Sequence, residues 1–93
     1  MTETEQKIYN YMKEVDSLTT DARELLNKHA EHLTNEIKED ICLMNTFFGR
    51  LQFINMFREK LGVKKAEANA RYIYLDVKDI SNRIKLYMET ITY

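Results

Sequence analysis

Apolar residues along this chain fall into three helical rhythms separated by two short breaks. In the first, Ile8, Met12, Val15, Thr19, Ala22, Leu26, His29 and Leu33 alternate at spacings of four and three. That alternation places them along one side of an α-helix. Tyr11, Leu18 and Leu25 widen the stripe. Thr2 or Thr4 can cap the helix, with Glu3 and Glu5 near its positive end. Residues 17–21, Ser-Leu-Thr-Thr-Asp, carry cap-forming side chains, but the rhythm runs through them unbroken and predicts a continuous helix. Thr19 and His29 are polar members of the seam, either setting its register or lying at its edge.

The last rhythm is the most regular. Ala66, Ala70, Ile73, Val77, Ile80, Ile84, Tyr87 and Ile91 keep the four-three alternation without exception. Tyr72, Leu75, Leu86 and Tyr93 lie off this seam and point to a second contact surface, for a partner or a dimer mate.

Between them lies residues 41–57, ICLMNTFFGRLQFINMF, in which Arg50 is the single charge. Ile41, Met44, Phe48 and Leu51 form one helical face, and Leu43, Phe47, Ile54 and Phe57 a second. A third side carries Cys42, Thr46 and Gly49, all small, followed by Phe53 and Met56. A helix apolar on several sides needs cover on several sides. The two flanking helices supply two neighbours, which leaves the third surface for another chain. Gly49 either admits a close neighbour or marks a kink.

The breaks are of unequal clarity. At 33–35 the rhythm slips, since Leu33, Ile37 and Ile41 follow by two steps of four. Either a tight turn lies there or one very long helix carries a stutter. At 58–63, Arg-Glu-Lys-Leu-Gly-Val, Gly62 fits the left-handed position past a helix end, and Val63 can cover the last turn. The expectation is an all-α fold of three long amphipathic helices, roughly residues 4–33, 35–61 and 64–92. They form an antiparallel bundle or an extended helical hairpin in a single domain, completed by dimerisation.

Composition agrees with this layout. The chain has 93 residues, no proline, two glycines and 31% charged residues, a profile suited to long helices with few turns. Cys42 is the lone cysteine, which excludes an intrachain disulfide and favours a reducing compartment. Its expected role is that of a small buried hydrophobe. The polar, acidic opening MTETEQK does not read as a targeting segment. The apolar stretch is shorter than the ~20 residues of a membrane span, and Asn45, Arg50, Gln52 and Asn55 interrupt it. A soluble protein of the cytoplasm or another intracellular compartment is expected. The net charge of −1 hides an asymmetry: five Lys/Arg against ten Asp/Glu in residues 1–46, and nine against five in 47–93. Complementary helix faces explain this better than a nucleic-acid footprint.

Few side chains here suggest chemistry. His29, His32 and Glu36 are spaced to share a helix face, with Asp40 a turn further on, and imidazoles with carboxylates can hold a metal. No paired metal motif sharpens this pattern, so neither a metal nor another cofactor is expected. Arg23 and His29 have the spacing found in some helical RNases of the HEPN class, where such a pair could protonate a leaving group on phosphate. Residues 11–33, YMKEVDSLTTDARELLNKHAEHL, resemble the first helix of the all-helical chorismate mutases. That resemblance implies a helical shape and a cationic grip on a dicarboxylate. The matching positions here are Met12, His29 and Asp40, so it implies shape without the activity.

Arg58, Lys60, Lys64, Lys65 and Arg71 gather around Gly62, with Glu59 and Glu67 among them. Free amides at the last helix's start and the nearby Tyr72 and Tyr74 add to a candidate anion or nucleic-acid site. Arg50 either pairs with an acid, Asp76 or Asp79 foremost, or extends to solvent beside Phe47 or Ile54. The leading expectation is a non-enzymatic interaction module, a small regulator, adaptor or inhibitor acting as a homodimer on a protein partner. Its candidate surface is Arg50, Phe53, Met56, Tyr72, Leu75, Leu86 and Tyr93. Anion or nucleic-acid binding through the basic turn is the alternative.

Overall fold

In a computed structural model, which describes residues 1–91, the chain is helical almost throughout. Helix α1 spans Glu3–His29 and runs into a 3-10 turn at Ala30–His32. Helix α2 spans Asn35–Met56, a short α3 spans Arg58–Leu61, and α4 spans Val63–Ile91. The three long helices pack on one another, α1 with α4 most extensively. Up, down and up again, they form an elongated bundle of 46 × 17 × 16 Å. Its radius of gyration is 14.7 Å, against about 12 Å for a rounder domain of this length.

Local chemistry explains the helix boundaries. Thr2 caps α1 with a capping box: its hydroxyl accepts from the Glu5 amide while the Glu5 carboxylate accepts from the Thr2 amide, both at 3.2 Å. Lys28 and His29 stand in the last turn of α1, where positive charge suits the helix end. Between α1 and α2 the chain turns, which rules out one long helix running into the forties. Leu33 and Thr34 adopt extended backbone, and the Thr34 hydroxyl accepts from the Ile37 amide at 3.2 Å. A threonine cap does there what glycine or proline does elsewhere.

The expected helix at 35–61 is interrupted. Phe57 leaves helical geometry at φ −107° and ψ 21°. Arg58 reaches back so that its guanidinium donates to the Asn55 carbonyl at 2.7 Å, and its Nε donates to the Glu5 carboxylate at 2.7 Å. A side chain that takes a carbonyl of the helical ladder breaks the ladder. Gly62 then carries the chain into α4 at φ 92° and ψ 121°. Its positive φ is as expected, though ψ lies outside the left-handed helical well.

The core runs the length of the bundle and follows the four-three seams. Ile8, Val15 and Ala22 from α1 meet Ile37, Ile41, Met44 and Leu51 from α2, and Ala66, Ala70, Val77, Ile80 and Ile84 from α4. Leu33 closes one end. Met12, Leu26, Phe48, Ile73 and Tyr87 are partly buried against it. Thr19 is fully buried at mid-core, and its hydroxyl has no hydrogen-bond partner.

Candidate interaction surface

Three helices around one core bury one side of each. For α1 that is nearly enough, because it carries essentially one apolar stripe; α4 buries its seam but leaves Tyr72, Leu75 and Leu86 outside it. For α2 one buried side is not enough. Its core side (Ile37, Ile41, Met44, Leu51) is buried, but Leu43 is 42%, Phe53 57% and Met56 72% exposed. Phe47, Ile54 and Phe57 are half-buried. The small residues Cys42, Thr46 and Gly49 are exposed, and a Cβ placed on Gly49 would meet nothing within 4 Å. Cys42 therefore lies at the surface rather than in the interior. The Phe57 ring centroid lies 4.7 Å from that of Phe53 at the end of α2.

Arg50 makes no ion pair with Asp76 or Asp79. Its guanidinium lies over the Phe47 ring, 5.7 Å from the centroid, the solvent-facing alternative of the two considered. A cation–π contact at an exposed site contributes about 0.5–1 kcal/mol and leaves the charge available to a further partner. Beside α2, the flank of α4 exposes Tyr72, Leu75 and Leu86, with Asp76 and Asp79 also exposed. The Asp40–Arg83 ion pair at 3.1 Å ties this flank to α2. Tyr93 lies outside the described residues.

The basic turn is partly occupied from within. Arg58 is held by Glu5, Arg71 stands 3.7 Å from Glu67, and the Lys60 ammonium lies 6.0 Å above the Phe57 ring. Lys64 and Lys65 are exposed. Glu67 also accepts from the Tyr11 hydroxyl at 3.4 Å, and Tyr11 stacks on Tyr74 at 5.0 Å. Burial, then the Glu67 carboxylate, pushes the Tyr11 phenol above its ordinary pKa. This cluster locks α1 to α4, and spacing does not reveal it, since its members come from distant parts of the chain.

The histidines are dispersed. His29 ends α1, half-buried, and His32 is exposed in the 3-10 turn. The Tyr87 hydroxyl donates to the His32 carbonyl at 2.8 Å, and Asp40 is engaged by Arg83. Among the described residues no three His, Cys, Asp or Glu side chains form a group that could hold a metal ion. Arg23 donates to Thr20 on its own helix at 3.3 Å. Of the described helices, none is long and apolar enough to cross a membrane.

Fold and surface together define an all-α helical bundle whose middle helix keeps much of its apolar surface in water. No protein-family model, no curated protein and no solved structure matches the chain.

Proposed function

We propose that this protein is a non-enzymatic helical interaction module, working as an oligomer that recognises another macromolecule through the outer surface of α2 and the adjoining flank of α4. One observation carries this reading. Leu43, Phe53 and Met56 are each exposed on the most apolar helix of the chain, with the Phe53–Phe57 ring pair at its end. Scattered apolar residues on a surface are ordinary, but several on one helix, with aromatic, methionine and arginine members, have the composition of a recognition site. A regulator, adaptor or inhibitor acts through such a surface.

The alternative, anion or nucleic-acid binding at the basic turn, draws support from Lys60, Lys64 and Lys65, because Arg58 and Arg71 are engaged by carboxylates. Two variants separate these readings. Capture from native host extract with Phe53→Asp/Met56→Asp is expected to lose the macromolecular partner that the unaltered protein retains. Lys64→Glu/Lys65→Glu is expected to retain it. The reverse pattern, with binding that falls steeply as salt rises, would overturn the proposal in favour of the basic turn. Far-UV circular dichroism should show the same helix content in both variants, since all four side chains are exposed.

A further inference from the structure

Burial fixes which way α2 faces. Ile37, Ile41, Met44 and Leu51 point into the core. Opposite them Cys42, Thr46, Gly49, Phe53 and Met56 follow at alternating steps of four and three, and all are exposed, so they form the outermost strip of the helix. Beside that strip, on the side nearer α4, Glu39, Leu43 and Arg50 are exposed as well. The two ends of this outer side differ in size and in charge. Toward the start of α2 the strip is small, and the exposed charges are the acids Glu36 and Glu39. Toward the end it is large, and the exposed charges are Arg50 and Lys60, with Glu59 next to Lys60. The Phe57 ring stands 4.7 Å from Phe53, and the Lys60 ammonium 6.0 Å from Phe57, which places Lys60 at the foot of the same side. Glu39, Arg50 and Lys60 form no ion pair among the described residues.

A side that is small and acidic at one end, large and basic at the other, is complementary to its own reverse. A two-fold axis perpendicular to α2, passing between Thr46 and Gly49, lays two copies of the helix antiparallel and outer side to outer side. Every contact is then made twice. Cys42 of each copy lies level with Phe53 of the other, and Thr46 with Gly49. At the axis an added Cβ on Gly49 would meet nothing within 4 Å of its own chain, which leaves room for the second helix at about 8–10 Å. Such an axis brings like flanks together, so Arg50 faces the flank of the other helix that bears Glu39, about 9 Å along it. Extended arginine and glutamate side chains bridge that span. Lys60 stands level with the start of the other α2, at Asn35 and Glu36. Lys38, half-buried, lies on the opposite flank, where its stem packs beside Met56 of the other copy. Each copy's α1 and α4 lie behind its own α2, away from the contact.

We infer that the outer side of α2 is occupied by a second copy of this chain, docked antiparallel about a two-fold axis, with Phe53 of each copy seated over the small residues of the other and Arg50 paired with Glu39. This rests on the reading of α2 as a recognition surface and names the occupant of its outer side. The flank of α4 that exposes Tyr72, Leu75 and Leu86 stays open in the dimer to another macromolecule. Charge selects the direction. Parallel docking in register would set Glu39 against Glu39, Arg50 against Arg50 and Phe53 against Phe53, whereas antiparallel docking joins opposite charges and fits large side chains to small ones.

Three single variants test the pairing: Arg50→Glu, Glu39→Lys and Gly49→Gln. All three sites are exposed, so each variant is expected to keep its helix content by circular dichroism. A contact between two single helices lies at the low end of stable interfaces, and association is therefore followed by sedimentation equilibrium over a concentration series. The unaltered protein should form a dimer. Arg50→Glu sets like charges against each other at both contacts, as does Glu39→Lys, and each should self-associate at least about tenfold more weakly. Mixed in equal amounts, these two should recover a heterodimer. The introduced glutamate then faces the introduced lysine, and Arg50 faces Glu39 at the second contact. Gly49→Gln fills the space at the axis and should abolish the dimer. The thermal midpoint of the dilute chain should hold or rise, since glutamine favours a helix more than glycine does. A monomeric unaltered protein overturns the inference. So does a dimer that tolerates Gly49→Gln, or a mixture no more associated than its components. In each of those cases, capture of another macromolecule that still depends on Phe53 and Met56 leaves the recognition surface standing without its self-pairing.

Discussion

The seam between α1 and α4 and the outer side of α2 are built from similar residues and end in opposite environments. In the seam, apolar side chains recur at the helical period, and packing two helices together takes nearly all of these seam residues out of water. In α2 they continue around the helix, past the width that two neighbours can cover. The lesson concerns periodicity rather than apolar content. The four-three seams of α1 and α4 are buried or half-buried except at Ile91, while α2 exposes Leu43, Phe53 and Met56 and the off-seam flank of α4 exposes Tyr72, Leu75 and Leu86. An elongated bundle accentuates this, since a narrow rod offers each helix fewer neighbours than a rounder domain would.

The sharpest way to break the comparison is to cut equally into both regions. Ile84 is buried in the shared core, and Ile84→Ala should lower unfolding free energy by about 2–5 kcal/mol, the range for truncating a buried aliphatic residue. Phe53→Asp replaces an exposed ring, and its effect on the stability of the dilute monomer should stay within about 0.5 kcal/mol. Urea denaturation followed by far-UV circular dichroism compares the two. Similar losses would mean that Phe53 contributes to the core of a single chain, and the contrast between the regions would disappear.

A second change sharpens the seam itself. Thr19 occupies a core position with a buried hydroxyl that bonds to nothing. A desolvated, unpaired polar group costs about 1–3 kcal/mol, and replacing it with a methyl of the same shape removes the cost. Thr19→Val should therefore stabilise the fold by about 1 kcal/mol, raising the thermal midpoint by about 4–8 °C. A lowered midpoint would show that the hydroxyl is satisfied in solution, by water or by its own backbone.

Much of this architecture is readable from spacing. The seams on α1 and α4 correspond to buried or half-buried positions, save Ile91 at the far end of α4. Gly62 announces its turn because few other residues adopt positive φ. The turn at Thr34 is only half readable: a threonine before an apolar helix is a cap when the chain turns, and an ordinary helical residue when it does not. The break at Phe57 is not readable at all. Arg58 there donates to the Asn55 carbonyl and to the distant Glu5 carboxylate, and spacing signals neither contact. For the same reason spacing identifies Arg50 as unusual but leaves open an ion pair or the contact over Phe47. Exposure at Phe53 and Met56 is readable because α2 carries more apolar faces than there are helices to cover them.

The Glu5–Arg58 contact offers the mildest test, and it concerns how α1 holds the far end of α2. The Arg58 hydrogen bond first, and then those from the Thr2 backbone and side chain, hold the Glu5 carboxyl at about 2, against an ordinary value of 4.5. In the unfolded chain these bonds are lost and the carboxyl regains its ordinary affinity for protons. Between those two values the unfolded state binds more protons than the folded one, so stability falls with falling pH. The contribution of this group is complete above pH 4.5 and is lost progressively as pH drops toward 2. Other carboxylates titrate in the same window, which is why the informative quantity is a difference. Glu5→Gln keeps the shape of the side chain and removes its titration. Urea midpoints measured from about pH 6 to about pH 2 should decline more steeply in the unaltered protein than in Glu5→Gln, with the gap closing at the acid end. Parallel declines would show that Arg58 breaks α2 through its bond to the Asn55 carbonyl alone, and that α1 does not hold the end of the exposed helix through charge.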